Sequence, residues 1–312
     1  FPYTNHPRAF VAKYDLSGNL LNVNYFGDGG DDFIDSEVDN YGNIYLSKER
    51  QSSNGILGSS RILKINNINL NLLMNIELSN RSNGNSLYKP TTLHFNQSNQ
   101  KLYIWGAFNE TVNVMNNIFS VNGFNSVFQS LLCEIDVSNG TLTQIKRFDN
   151  SSNDNLAYTS GHVTGTTGYI KSYQNNIYIL TSYKGNMSFN NQSITSASYI
   201  SGGITYFAED LVLFKVDLSN FNDEFIFKSI NLSNNITGFN YDYAGPIIFN
   251  NDDLYITSTF TSKPIEINGS VINNNSGNKN SDVLLYKFNI NDINLGQIIT
   301  DNTCLNNLTQ FN

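Results

Sequence analysis

Charge is scarce in this chain of 312 residues: only 14% are Asp, Glu, Lys or Arg, against about a quarter in an average soluble domain. The balance is acidic, 18 basic against 26 acidic residues. No basic run or stripe exists to track a phosphate backbone, which argues against nucleic acid as a partner. No stretch approaches the roughly 18 apolar residues of a membrane-spanning helix, so no membrane span is expected. Cysteine is down to Cys133 and Cys304, too few for a disulfide framework. One bridge between them would tie the C-terminal tail, residues 301–312, to the body; two unpaired thiols are the alternative. Capped apolar runs at i, i+3, i+4 and i+7 are also missing, so helix is not expected. The chain opens at Phe1 without Met, as a mature product does after loss of a leader and as a trimmed chain does too.

Asparagine takes the place of charge. There are 53 of them, and the hydrophobic content of 39% is still enough for a core. Twelve Asn-X-Ser/Thr sequons begin at Asn80, Asn96, Asn109, Asn139, Asn150, Asn186, Asn191, Asn231, Asn235, Asn268, Asn274 and Asn307. That number is only slightly above what this composition produces by chance. It makes these residues candidate glycosylation sites where a host supplies the machinery.

The sequence repeats itself, and the repeat decides the fold. An Ile/Leu-Tyr strand recurs as "NIYLSKE" (43–49), "KLYIWGAF" (101–108), "NIYILTS" (176–182) and "DLYITSTF" (253–260). Each follows another strand and a loop rich in Asn, Asp and Gly, which reads as a hairpin. A second, smaller hairpin follows in three units, with two-residue centres at Asn116-Asn117, Asn190-Asn191 and Asn268-Gly269. These residues tolerate the positive φ of a type I′ turn. A third phrase places Lys13, Lys64, Glu134, Lys215 and Lys287 at one position. Two residues on stand Asp15, Asn66, Asp136, Asp217 and Asn289. Apolar residues alternate around them with the period of a strand. The closing Asp or Asn is suited to bond the backbone of the next turn.

Four-stranded units of this size predict an all-β chain. The expected fold is a β-propeller-like array of about four, at most five, antiparallel blades. The units fall at about 33–80, 88–148, 165–230 and 244–300, within one domain. In "FVAKYDLSGNL", "DNYGNIYLS" and "LVLFKVDLS" the chain resembles the bacterial repeat family of the seven-bladed β-propeller type. That family is built around Gly-Asn-Ile-Tyr and Lys-Tyr-Asp-X-X-Gly strands. The resemblance implies the fold and an extracellular bacterial setting. This chain departs from it in having four full units, and in keeping the Gly after the Ile-Tyr strand only as Gly106. The N-terminal segment 1–26 carries the third phrase without the strands that precede it elsewhere. Phe10, Val11, Ala12, Lys13 and Tyr14 therefore form a strand in want of a sheet edge, in this molecule or in another copy.

Chemistry is harder to find. His6, His94 and His162 lack Cys or carboxylate partners at metal-ligand spacing, so zinc is not expected. The acidic stretch 27–39 offers Asp28, Asp31, Asp32 and Asp35 to Ca²⁺, the one metal considered, but without the spacing of an EF-hand loop. No other cofactor is expected. No nucleophile elbow and no phosphate-cradling loop is present. The expectation is an extracellular or cell-surface protein without enzymatic activity. It would be structural, with copies of itself as partners, and would form a filament by strand pairing of its terminal segment. Two alternatives stand beside it. One is a monomeric module for adhesion or glycan binding, with Tyr241 and Tyr243 stacking on sugars. The other is a polysaccharide lyase or hydrolase built on paired carboxylates.

Overall fold

The computed structural model describes residues 9–26, 31–50, 58–81, 87–121, 129–151, 168–190, 192–201, 204–231, 242–261, 264–267, 270–272 and 282–292. The described part begins with a separate hairpin of β1 (Phe10–Tyr14) and β2 (Leu20–Tyr25). Blade one is the sheet β3 (Asp31–Val38), β4 (Ile44–Arg50), β5 (Ser59–Ile65) and β6 (Leu72–Asn80), in that order. Blade two runs through β7 (Lys89–Asn96) and β8 (Lys101–Phe108), then a small hairpin, β9 (Val112–Val114) and β10 (Asn117–Phe119). It closes with β11 (Gln129–Asp136) and β12 (Thr141–Phe148), which β13 (Asn150–Ser151) follows. Blade three opens with β14 (Gly168–Tyr173) and β15 (Asn176–Lys184). Two short hairpins follow: β16 (Asn186–Ser188) with β17 (Ser193–Thr195), and β18 (Ser198–Ser201) with β19 (Ile204–Phe207). It ends in β20 (Glu209–Asp217) and β21 (Asp223–Asn231). Blade four has β22 (Asp242–Asn250), β23 (Asp253–Phe260), the small hairpin β24 (Ile265–Ile267) and β25 (Ser270–Ile272), and β26 (Asp282–Asn289). One 3-10 turn, Ile290–Asp292, closes the described part. The four antiparallel sheets are arranged as a four-blade β-propeller.

Local chemistry sets the ends of the strands. In all five copies of the third phrase the closing side chain accepts from the backbone two residues on. The bonds are Ser17 N to Asp15, Ile68 N to Asn66, Ser138 N to Asp136, Ser219 N to Asp217 and Asn291 N to Asn289, at 2.8–3.0 Å. These Asx turns stop each strand at the same place. A register shift just before the turn recurs at Lys13/Tyr14, Lys64/Ile65, Glu134/Ile135 and Leu213/Phe214. Such bulges increase the local twist. The small hairpin of blade two turns one residue earlier than its sequence suggests. Asn117 pairs with Val114, so Met115 and Asn116 form the turn with φ of 48° and 71°. The Asn117 amide donates to the carbonyls of Val114 and Met115, which holds an unbranched Met in a conformation usually left to Gly or Asn.

Packing then joins the blades in series. Alternation along each strand sends one set of side chains to each face. Leu102, Ile104, Leu131 and Cys133 of blade two pack on Tyr45 and Ile62 of blade one. On the opposite face Trp105 and Leu132 meet Ile177, Val212 and Phe214 of blade three. Tyr178, Leu180, Leu211 and Leu213 of blade three then meet Ile247, Leu254, Leu284 and Tyr286 of blade four. Each fully buried aliphatic or aromatic side chain contributes roughly 1.5–3 kcal/mol. The small hairpins reach back to the preceding blade. β24 pairs with β21, β16 pairs with β13, and Met115 N donates to Leu78 O on β6. Among the described residues no apolar cluster joins blade four to blade one.

Candidate functional site

Two sheet faces stand at the ends of this series. At the start, the β1–β2 hairpin lies on blade one. Val11 and Phe26 pack on the cluster of Leu46, Leu63, Ile65 and Leu70. Lys13 Nζ donates to Asn67 O, and the Asn22 and Asn24 amides donate to Asn69 O and Leu70 O. The strand Phe10–Tyr14 thus finds its first partner in its own hairpin. Its second edge is unpaired among the described residues, where the hairpin sheet has two strands. Because Val11, Lys13, Asn22 and Asn24 point to blade one, alternation turns Phe10, Tyr14, Leu21, Val23 and Tyr25 the other way. All five are exposed, with the Phe10 and Tyr25 rings 6.2 Å apart.

At the far end, register identifies the matching face. Tyr45, Tyr103, Tyr178 and Tyr255 pair across strands with Lys64, Glu134, Lys215 and Lys287. Two residues before those partners stand Ile62, Leu132, Leu213 and Leu285. The first three are fully buried, while Leu285 is 60% exposed. Two residues earlier again, Leu211 is fully buried and its counterpart Val283 is 75% exposed. Ile248 extends this open apolar face of blade four.

The first strands of the blades bring a polar cluster together at the centre. Glu37, His94, Lys171 and Ile248 share one register, each opposite the repeat Tyr. His94 Nδ1 lies 3.3 Å from Glu37 Oε1, Lys171 Nζ lies 3.6 Å from the same oxygen, and His94 Nε2 lies 2.6 Å from Ser172 Oγ. Burial alone would raise the Glu37 carboxyl. The His94 hydrogen bond and the Lys171 charge outweigh it and hold the group below its ordinary range. Asp35 goes the other way: burial raises it, although Leu93 N donates to it at 2.7 Å. Carboxylate, imidazole and hydroxyl in this order also activate a nucleophilic serine in hydrolases. Here the shared register accounts for the cluster as a tie between three blades. His94 looked partnerless in the sequence because its partners lie 57 and 78 residues away.

A second buried acid group sits where β20 begins. Burial pushes Glu209 up to about 8, with Lys184 opposing it and Asp242 and Asp210 adding to it. Burial pushes Asp210 up to about 6 although Ala197 N donates to it. Ser229 Oγ donates to Asp242, and Ser182 Oγ donates to Asp242 O, so the group lies on the seam between blades three and four. No sequence signal marked it, since Glu209-Asp210 is a common pair and burial is set by the seam.

The sites read from sequence are dispersed. Asp31 is buried and paired with Lys48 Nζ at 2.9 Å, Asp35 takes Leu93 N, Asp32 is exposed, and Asp28 lies outside the described residues. Among the described residues no group of three or more His, Cys, Asp or Glu is disposed to hold a metal ion. Asn96 is buried, with its Oδ1 taking Ser98 N and Oγ, so the folded chain cannot carry a glycan there. Asn80 donates to Glu77, Asn109 is half-buried at the end of β8, Asn139 is an exposed turn residue and Asn186 an exposed residue at the start of β16. The side chains of Asn150 and Asn231, and Asn191, Asn235, Asn268, Asn274 and Asn307 altogether, lie outside the described residues, as does Tyr241. A groove of about 460 Å³ runs between β6, the β9–β10 hairpin and the β11–β12 turn, lined by Glu77, Asn80, Asn113, Asn117 and Thr141. No aromatic ring lines it, so it lacks a stacking platform for a sugar.

Cys133 is a free thiol with no exposed surface, and burial pushes it up to about 12; Cys304 lies outside the described residues. Native protein should therefore leave Cys133 unmodified by iodoacetamide at pH 8, while the denaturant-unfolded chain reacts there. Rapid labelling of Cys133 in the native state would contradict the blade-two core.

No protein-family model matches this chain, and no curated protein matches it. Among the described residues no helix is long and apolar enough to cross a membrane.

Proposed function

We propose that this is an extracellular, non-enzymatic structural protein that associates with copies of itself into a filament. One observation carries the reading: the series of blades ends in two exposed apolar faces, and each is the kind of face that is buried between blades within the chain. Repeat arrays remain soluble alone when their terminal units carry polar outer faces. Here Phe10, Leu21 and Tyr25 at one end and Val283 and Leu285 at the other are apolar instead. The Gly-Asn-Ile-Tyr and Lys-Tyr-Asp-X-X-Gly likeness to bacterial propeller repeats supports the surface setting. The exposed sequons at Asn139 and Asn186 suit a glycosylated exterior.

A chain lacking residues 1–26 tests the reading. It should keep its β-sheet circular dichroism and run as a monomer at concentrations where the full chain assembles. Assembly of the shortened chain equal to that of the full one would sink the role given to the hairpin.

A further inference from the structure

We infer that copies associate by stacking sheet faces: the open face of blade four in one molecule packs on the outward face of the β1–β2 hairpin in the next. This rests on the self-association just proposed, and it replaces pairing of strand edges with packing of side chains.

The repeat identifies the two faces as halves of one interface. β1 carries the third phrase, so Lys13 corresponds to Lys64, Glu134, Lys215 and Lys287. In blade three the side chains two and four residues before that position, Leu213 and Leu211, point to blade four and are fully buried there. In the hairpin the residue two before it, Val11, points to blade one in the same way. Blade four repeats the pattern with Leu285 and Val283, and nothing in the described chain covers them. The complementary face is the one that Val212, Phe214 and Val216 of blade three present to blade two. Phe10, Ala12 and Tyr14 are its equivalents in the hairpin, flanked by Leu21, Val23 and Tyr25. Both halves stay exposed among the described residues, so a second copy is the occupant that supplies the missing half. Such a contact joins unlike patches, and unlike patches joined head to tail propagate as an open filament or a ring. An exposed apolar surface of this kind marks an association site.

Strand pairing makes a different demand. Ala9 O accepts from Phe26 N, so by antiparallel alternation Val11 and Lys13 bond to β2 and the Ala12 N–H faces the open edge. Ala12→Pro removes that donor and spares the hairpin ladder. Leu285→Asp and Leu21→Asp alter exposed side chains and leave both edges intact.

Sedimentation velocity on the full chain and these three variants decides between the modes. Each Asp variant alone should need roughly 10- to 100-fold higher concentration to assemble, while Ala12→Pro assembles as the parent does. An equimolar mixture of Leu285→Asp and Leu21→Asp should stop at one-to-one dimers, because each retains the half the other lacks. Assembly blocked by Ala12→Pro and unchanged in both Asp variants would overturn face stacking and leave self-association standing. A full chain that stays monomeric throughout, whether by closing its own faces together or by covering them with its tail, would overturn both.

Discussion

Trp105→Ala is expected to destabilise the protein by about 3–5 kcal/mol, the range for removing a large buried aromatic side chain. Trp105 has no exposed surface and occupies the seam between blades two and three. Its ring centroid lies 5.4 Å from Phe148 and 5.9 Å from Phe214, and those two rings lie 4.9 Å apart. An alanine leaves a cavity that two rigid sheets cannot collapse to fill. Trp105→Phe should cost much less, because it keeps a ring and removes an indole Nε1 that has no hydrogen-bond partner among the described residues. Gly168 explains why the seam accepts the indole: a Cβ there would sit 2.2 Å from Nε1. Gly168→Ala should therefore be severe in the parent and milder in Trp105→Phe, a coupling that a double-mutant cycle of urea midpoints by circular dichroism measures. Additive effects would mean that the seam is looser than described.

Raising the pH from 5 to 8 should lower the stability by an amount on the order of a few kcal/mol. Glu209 lies at about 8 in the folded state and at 4.5 ordinarily, so the fold holds this proton more tightly than the unfolded chain does. Its contribution is fully present below pH 4.5 and is lost progressively as the pH rises towards 8. Asp210, raised to about 6 from 3.8, acts in the same direction over the lower part of that window. Glu37 and Asp136 are lowered instead, so their stabilising effect is present at neutral pH and lost in acid, below the window. Glu209→Gln should raise stability at pH 8 and flatten the slope between pH 5 and 8, read from urea titrations followed by Trp105 emission. A parent profile that is level or rises across this range would contradict a buried, protonated Glu209.

The blades were legible because their signals are local. Alternation gives strands, and an Asp or Asn two residues after the repeat Lys or Glu gives the Asx turn seen at Asp15, Asn66, Asp136, Asp217 and Asn289. The relations between blades were not. Glu37, His94 and Lys171 share a register, yet they are chemically unlike and precede turns of different length, so no sequence pattern aligns them. Asn96 read as a glycan acceptor because a sequon carries no information about burial. The segment Phe10–Tyr14 read as a lone strand because its partner, β2, lies past the Asx turn and lacks the repeat Tyr. Its seat on a sheet face depends on Leu46, Leu63 and Ile65, which the phrase itself does not encode.

Sedimentation velocity of the unmodified chain over a hundredfold range of concentration tests self-association most directly. Head-to-tail association gives a mass that grows with concentration, with end-to-end filaments or rings visible by electron microscopy at the upper end. A single monomeric boundary at every concentration would contradict it.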